Sequence, residues 1–248
     1  MKVSIITATY NSANTIIDTL KSLEQQTYPN IEYIIIDGAS KDNTLDIIKA
    51  HSSKVSTIIS EPDKGIYDAL NKGINAATGD IIGFLHSDDL FASPDAVTDI
   101  VNTFSKNNSD AIYADLQYVN KDNVDSVVRY WKSGDYHISK MEKGWMPPHP
   151  TFYMKRSCYE QFGLFDLSFK IAADYDSLLR YLYLNEISMS YLPEVTIKMR
   201  VGGASNRDLN NIILKTKEDI RALKNSKVPW VPALVIKNVS KIPQFLKR

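Results

Sequence analysis

The chain has 248 residues, 44% of them apolar and 23% charged, with 29 basic residues against 29 acidic ones. This balance describes one large soluble domain, or one domain with small additions, whose core needs no disulfides. The one cysteine, Cys158, has no second to pair with, which fits a reducing compartment and excludes a zinc site built on cysteines.

In chain order, the N-terminal MKVSIITATYN is too short an apolar run for a signal peptide, and VSIITA (3–8) reads as a β-branched strand. Asn14 is placed to cap a helix carrying Ile16, Ile17, Leu20 and Leu23. IEYIIID (31–37) is the continuous apolar run of a strand covered on both faces. TLDIIKAH follows as a helix and VSTIIS (55–60) as a strand. A helix is expected from Asp68 to Ala77, stopped by Gly79, then a strand over DIIGFLH. Pro94 is expected to open a helix with Val97, Ile100, Val101 and Phe104 on one face. Alternating strands and helices over residues 1–105 imply a parallel, doubly wound sheet.

The second half is less regular. DAIYADLQYV and VDSVVRYW alternate like antiparallel strands, and GWMPPHP interrupts them. A helix over Asp174–Asn185, short strands at SMSYL and VTIKMRV, a GGASN loop and a helix over residues 208–225 follow. No window approaches the ~20 apolar residues of a membrane span, so a cytoplasmic protein is expected. Seven basic residues and no acid follow Asp219, leaving 22 basic to 29 acidic residues before it. The body is acidic and the tail basic, which is not the pattern of a nucleic-acid binder.

Ligands bind at the carboxyl ends of strands in such sheets. Those ends hold Thr9, Tyr10 and Asn11; Asp37, Gly38 and Ser40; Glu61, Pro62 and Asp63; and Ser87, Asp88 and Asp89. Acids gathered this closely repel one another by several kcal/mol at an intermediate dielectric, and a magnesium or manganese ion relieves that repulsion. For Asp88 or Asp89 alone, capping of the following helix explains an acid equally well.

The order of ITATYN, IIDGASKD, EPDKGIYDALNKG, LHSDD, HPTFYMKR, GLFD, AADYDSLLR and MRVGGAS resembles glycosyltransferase family 2 over about residues 1–205. It is most like the bacterial members that build O-antigen, capsule or exopolysaccharide. The resemblance implies an α/β fold of GT-A type, with a mostly parallel doubly wound sheet and an irregular acceptor-side second half. It implies one domain over 1–225, divided into a nucleotide-binding half (1–105) and an acceptor half (106–225), with 226–248 as a basic amphipathic tail. By similarity Thr9, Tyr10, Asn11, Asp37, Asp63, Lys64, Asn71, Asp88 and Arg200 lie on the donor side. Asp88 and Asp89 hold a divalent cation, manganese or magnesium, with the diphosphate. Asp174 is the general base, His149 and Trp145 lie on the acceptor side, and Arg200 with GGAS forms a mobile loop over the donor.

The sequence departs from the family pattern twice. Strand two ends in Asp37–Gly38 where many members have two acids, the second reading the base. His86 stands where a D-x-D motif has its first acid, leaving S-D-D. The implied reaction is an inverting, metal-dependent transfer of a hexose or N-acetylhexosamine from a nucleoside-diphosphate sugar, a UDP-sugar being expected. The acceptor is a saccharide, in this family often lipid-diphosphate-linked. A base activates the acceptor hydroxyl, and the cation stabilises the departing diphosphate. For Asp174 the competing explanation is a helix cap, and Asp176 is the rival base, explained instead by an i,i+4 pair with Arg180. Trp145 is a candidate sugar platform, or packs on Pro147 and Pro148.

In the tail, Val231, Leu234, Val235, Ile242, Phe245 and Leu246 recur at near-helical spacing with Lys237 and Lys241 on another side, so contact with an anionic membrane surface is expected. Two other functions compete. A sugar-phosphate nucleotidyltransferase needs a Gly-rich, basic N-terminal loop, which TATYNS is not. A non-catalytic nucleotide-sugar-binding relative or scaffold would be expected to lose its acids, yet Asp88, Asp89 and Asp174 are present.

Overall fold

The computed structural model describes residues 1–202 and 209–239. The first half follows the predicted alternation: β1 (Val3–Thr9), α1 (Ile16–Glu24), β2 (Ile31–Asp37), α2 (Thr44–His51), β3 (Val55–Ser60), α3 (Ile66–Ala76) and β4 (Ile81–Phe84). A short β5 (Leu90–Phe91) and α4 (Ala96–Asn107) complete it. The second half holds β6 (Ala111–Val119), β7 (Val127–Trp131), β8 (Tyr153–Lys155), α5 (Arg156–Phe162), α6 (Ala173–Leu179) and β9 (Met189–Arg200). It closes with α7 (Leu209–Asn225) and α8 (Trp230–Val239). The GWMPPHP region forms tight turns over Ile138–Lys143 and His149–Thr151.

One sheet runs β3-β2-β1-β4-β8-β6-β9-β5, with β7 paired to β6. β1 to β4 are parallel; β8 enters antiparallel to both β4 and β6, and β7 is antiparallel to β6. Period-two alternation divides the core. Ile6, Ala8, Ile34 and Ile36 join α3, α5 and α6 on one face, while Val3, Ile5, Tyr33 and Ile35 join α1, α2 and α4 on the other.

Several local expectations need correction. Asn14 does not cap α1: Thr15 precedes the helix, and no side chain caps it. The first turn is held by backbone bonds to the Ser12 carbonyl. α3 begins at Ile66, inside the turn that Gly65 makes with φ +118°, and ends before Gly79. Pro94 lies outside α4, which starts after Asp95. SMSYL and VTIKMRV form one strand, irregular in register beside Asp115, because Pro193 can donate no ladder bond. α6 is shorter than expected and widens into a π turn over Arg180–Leu184.

The predicted tail is not a free appendage as far as Val239. α8 packs on Gly144, where a Cβ would lie 2.3 Å from the Ala233 carbonyl oxygen, and Gly144 is left-handed at φ +73°. Lys237, expected on an exposed basic side, points inward. It is 6% exposed, its Nζ is 3.0 Å from Asp219 Oδ2, and it sits 3.4 Å from the centre of the Tyr175 ring. Residues 240–248, including Lys241, Ile242, Phe245 and Leu246, lie outside the described residues.

Glu32 ties the amino ends of the parallel strands together. It accepts from Lys2 Nζ (2.6 Å), Ser4 Oγ (2.5 Å), Thr78 N (2.8 Å) and Thr78 Oγ1 (2.6 Å). Burial opposes its charge, but these donors outweigh burial and hold its pKa at about 2, below the usual 4.5. A depressed carboxylate stabilises the fold fully above its unfolded pKa and loses that contribution as pH falls through the folded value. Urea titrations of wild type and Glu32→Gln should therefore differ by roughly 2–3 kcal/mol at pH 7. The gap should shrink from pH 4.5 towards pH 2, and a gap independent of pH would contradict this account.

Candidate active site

The strand ends converge as parallel topology requires. Asn11, left-handed at φ +50°, stitches the first loop to the second. Its N–H donates to Ser40 Oγ at 2.9 Å, and its Oδ1 accepts from Lys41 N at 2.9 Å. Asp37 is fully buried and already occupied, accepting from Ser40 N (3.1 Å), from the Ser40 hydroxyl and from Ser60 Oγ (2.7 Å). It holds the loop, and both its carboxylate oxygens already accept hydrogen bonds within the fold.

Asp63 takes up the room that Gly38 leaves. A Cβ on residue 38 would lie 2.4 Å from Asp63 Oδ2 and 3.4 Å from the Tyr10 ring. Asp63 Oδ1 accepts from Gly65 N at 2.9 Å, which fixes the carboxylate beside Tyr10, itself 60% exposed. Thr9 is buried below, its hydroxyl oxygen without a hydrogen-bond partner among the described residues. Lys64 is exposed, and its backbone N–H donates to Asp68 Oδ2 at 3.0 Å.

Two residues expected on the donor side make their described bonds within the fold. Asn71 exchanges both bonds of its amide with the Phe165 backbone, at 2.9 and 3.0 Å, and so ties α3 to the GLFD loop. Arg200 is 6% exposed, and its guanidinium donates to Asp88 O (2.6 Å), Asp18 Oδ2 (2.5 Å) and Lys121 O (3.2 Å). It positions the Asp88 backbone, and its described contacts do not make it a lid residue. Positions 203–208, which contain the rest of GGAS, lie outside the described residues.

Asp88 and Asp89 differ sharply. Asp88 is half-buried and reaches solvent, whereas Asp89 is 1% exposed with neither carboxylate oxygen hydrogen-bonded among the described residues. Burial, reinforced by Asp88, pushes the Asp89 carboxyl well above the usual range, and Arg200 pulls the other way. An orphaned buried carboxylate beside a second acid is a hard-oxygen donor set that suits magnesium or manganese. Among the described residues no three His, Cys, Asp or Glu side chains cluster closely enough to hold a metal alone. A cation here would draw its further ligands from diphosphate and water.

Beyond His86 opens a cavity of about 450 Å³, within the usual range for ligand sites. Asp174, His86, His149 and Trp145 line it, together with β6, β7, α7 and α8. Asp174 sits in the first turn of α6, preceded by Ala172 at the cap position, so it is not the N-cap. Its Oδ1 accepts from Tyr175 N (2.8 Å) and Tyr67 Oη (3.3 Å), while among the described residues Oδ2 accepts nothing. Tyr67 has one phenolic proton, which it shares between Asp174 Oδ1 and the nearer Ile171 O at 2.7 Å. The sequence reading missed this orienting phenol, although it lies inside EPDKGIYDALNKG. Asp176 does not line the cavity; it faces Arg180 at 3.9 Å, whose guanidinium grips the Phe162 and Leu164 carbonyls. His86 lies between acids, with burial lowering its pKa and Asp88 and Asp174 raising it.

Residues 4–171 match the family description Glycosyl transferase family 2. An uncharacterized glycosyltransferase of Mycobacterium tuberculosis is 34% identical over 180 residues, covering 72% of this chain and 68% of the relative. The chain belongs to glycosyl transferase family 2. The solved structures agree on the GT-A fold. S. aureus TarS 1–349 in complex with UDP-GlcNAc superposes at TM-score 0.69 with 19% identity, covering 99% of this chain and 79% of that one. Against a longer TarS chain the glycosyltransferase spans 40% of its length. A mannosyltransferase of Pyrobaculum calidifontis in complex with GDP-Man and Mn2+ superposes at TM-score 0.66 with 18% identity, covering 100% and 76%.

In this glycosyltransferase His149 underlies the cavity, stacked on Phe84 at 5.4 Å and edge-on to Phe165 at 5.6 Å. Burial lowers its pKa from 6.5 to about 4, against the pull of Asp174 and with help from His86. The neutral form is the one the fold accepts, so its stabilisation is complete above pH 6.5 and is lost as pH falls through about 4. His149→Gln should flatten the loss of stability between pH 6.5 and 4, where wild type gives up roughly 3 kcal/mol at this site. Thermal melts across that window check it, and parallel curves for the two proteins would refute it.

Proposed function

We propose that this chain transfers a hexose or N-acetylhexosamine, with inversion, from a nucleoside-diphosphate sugar to a saccharide acceptor. The observation that carries the reading is the open Oδ2 of Asp174 at the wall of a 450 Å³ cavity that His86 joins to the Asp88–Asp89 turn. Asp174 takes the proton of an acceptor hydroxyl as its oxygen bonds to the anomeric carbon. The bond from that carbon to the diphosphate breaks on the opposite face, so an α-linked donor yields a β-linked product. Tyr67 holds the base oriented, and Arg200 holds the Asp88 backbone in place. Asp88, with the buried carboxyl of Asp89 behind it, is where a manganese or magnesium ion would sit. That ion would stabilise the charge on the departing diphosphate.

On the donor side Asp63 replaces the acid missing at position 38. A carboxylate there accepts a ring N–H of uracil or guanine but meets a lone pair at the matching nitrogen of cytosine or adenine. This supports a uridine donor, with guanosine as the competitor. The acceptor is read as lipid-linked, because the outer face of α8 exposes Trp230, Val231, Val235 and Ile236 and runs into a basic tail. No helix among the described residues is long and apolar enough to cross a membrane.

The reaction is tested by nucleoside diphosphate release across UDP-, GDP-, CDP- and ADP-sugars, with manganese, magnesium or EDTA, and with and without saccharide-diphosphate-lipid. Metal-dependent release from a UDP-sugar, raised by acceptor, is expected. Asp174→Asn should slow transfer by about 10²–10⁴-fold with little change in donor binding. Asp176→Asn should act mainly on stability. The reverse ranking would move the base to Asp176, and activity that survives EDTA would remove the cation. Surface contact is tested separately: Trp230→Glu with Val235→Glu should lose co-sedimentation with phosphatidylglycerol vesicles at an unchanged melting temperature. Undiminished binding would place the contact elsewhere.

A further inference from the structure

The cavity wall formed by β6 and β7 carries Tyr118, Arg129 and Trp131. The register explains why they share a face. Tyr118 pairs with Arg129 and Leu116 with Trp131, so the two cross-strand pairs stand two residues apart. The Tyr118 and Trp131 rings are parallel within 5°, with centroids 6.4 Å apart. The Arg129 guanidinium lies 4.7 Å from the first ring centre and 5.6 Å from the second, a cation–π arrangement that fixes the flat groups against each other. From the other side, α7 presents Lys215 and Thr216. The cavity thus has one flat apolar wall, one hydrogen-bonding wall and a carboxylate.

Trp145, the platform expected from the sequence, also lines the cavity, but its ring is packed against three neighbours. Tyr113 meets it edge-on at 5.6 Å, Tyr136 packs on it at 6.0 Å, and Lys140 Nζ sits 5.7 Å from its ring centre. We propose that Trp131, stiffened by Arg129 and Tyr118, is the acceptor-sugar platform. A pyranose lays its apolar C–H face on the indole and turns its hydroxyls towards α7 and Asp174. A flat ligand with one apolar face and a polar rim matches both walls, and an acyclic or wholly apolar ligand matches only one. The assignment rests on the transferase reading for the role of Asp174, but not for the binding itself.

The test uses the full chain and three probes, the octyl β-glycosides of glucose, galactose and N-acetylglucosamine, titrated by saturation-transfer NMR. UDP with Mn2+ is titrated by calorimetry on the same samples. Wild type should bind at least one glycoside. Trp131→Ala should weaken it about tenfold, Trp131→Phe should retain most of the affinity, and Trp145→Phe should change it little. The UDP titration should be unaltered throughout. Trp131→Leu, which keeps apolar bulk without a flat face, repeats the test should Trp131→Ala fold poorly. Equal binding by the Trp131 variants, a loss that follows Trp145 instead, or no glycoside binding by wild type would each overturn the platform. Absence of UDP binding by wild type would instead count against the donor reading, leaving the glycoside result to decide the platform.

Discussion

One buried guanidinium holds the chemistry of this sheet in place. Arg200, at the end of β9, reaches Asp88 of the β4 loop, Asp18 of α1 and Lys121 beyond β6. Its planar fork can serve acceptors in several directions at once, which a lysine could not. The loop it grips carries two adjacent acids with Asp174 nearby, so like-charge repulsion works against the folded arrangement. Arg200 opposes that repulsion from inside the protein. Its pull on Asp89 is nevertheless smaller than the combined effect of burial and Asp88. That residual imbalance is what a cation bound at this turn would relieve.

Carboxylates here fall into two groups that the sequence does not separate. Asp37 and Asp115 sit at strand positions that look as reactive as any, yet each is buried under several donors. Asp115 accepts from Tyr130, from Ser133 N at 2.8 Å and from Tyr191 at 2.7 Å. Asp176 is turned to Arg180. Asp63, Asp88 and Asp174 keep an oxygen or an exposed edge directed to the strand ends or the cavity. A satisfied carboxylate is fixed and charge-balanced; one left open in a concave site is available to ligand or proton. Whether an acid is open depends on serines, tyrosines and backbone amides brought from distant positions, such as Ser60 on Asp37.

The same distinction explains how much was legible in advance. The βα alternation of the first half, its order and its strand ends follow from apolar runs and turn residues, because each element is specified locally. The antiparallel character of β6 and β7 was also legible from alternation. Helix starts were not. α1 and α4 begin with backbone-held turns, and a polar residue just upstream says nothing about whether it will be used. The bonds of Asn71 and Arg200 are not legible for one reason: each reaches across about a hundred residues or more, to Phe165 and to Asp18. Asp63 was placed near the nucleotide, but its relation to Gly38 needs the packing of β3 beside β2. The place of Trp131 in the cavity is not legible because its partners lie across a hairpin and the cavity is closed by helices far along the chain.

α8 connects the tail to the chemistry. Its inner face sets Ala233 on Gly144 and Lys237 on Asp219 and Tyr175, the residue after Asp174. Asp219 also pairs with Lys215 at 3.1 Å, so α7, α8 and α6 meet at one charge cluster in the cavity wall itself. Removing one partner of such a cluster leaves a buried charge uncompensated and is strongly destabilising. The outer face of the same helix is apolar and exposed at Trp230 and Val235. The inner face of that helix contributes Leu234 and Lys237 to the cavity. In this arrangement the cavity proposed to take a saccharide and the face proposed to meet a lipid surface are two sides of one helix. A lipid-anchored acceptor meeting that face would lie on the opposite side of the helix from Leu234 and Lys237.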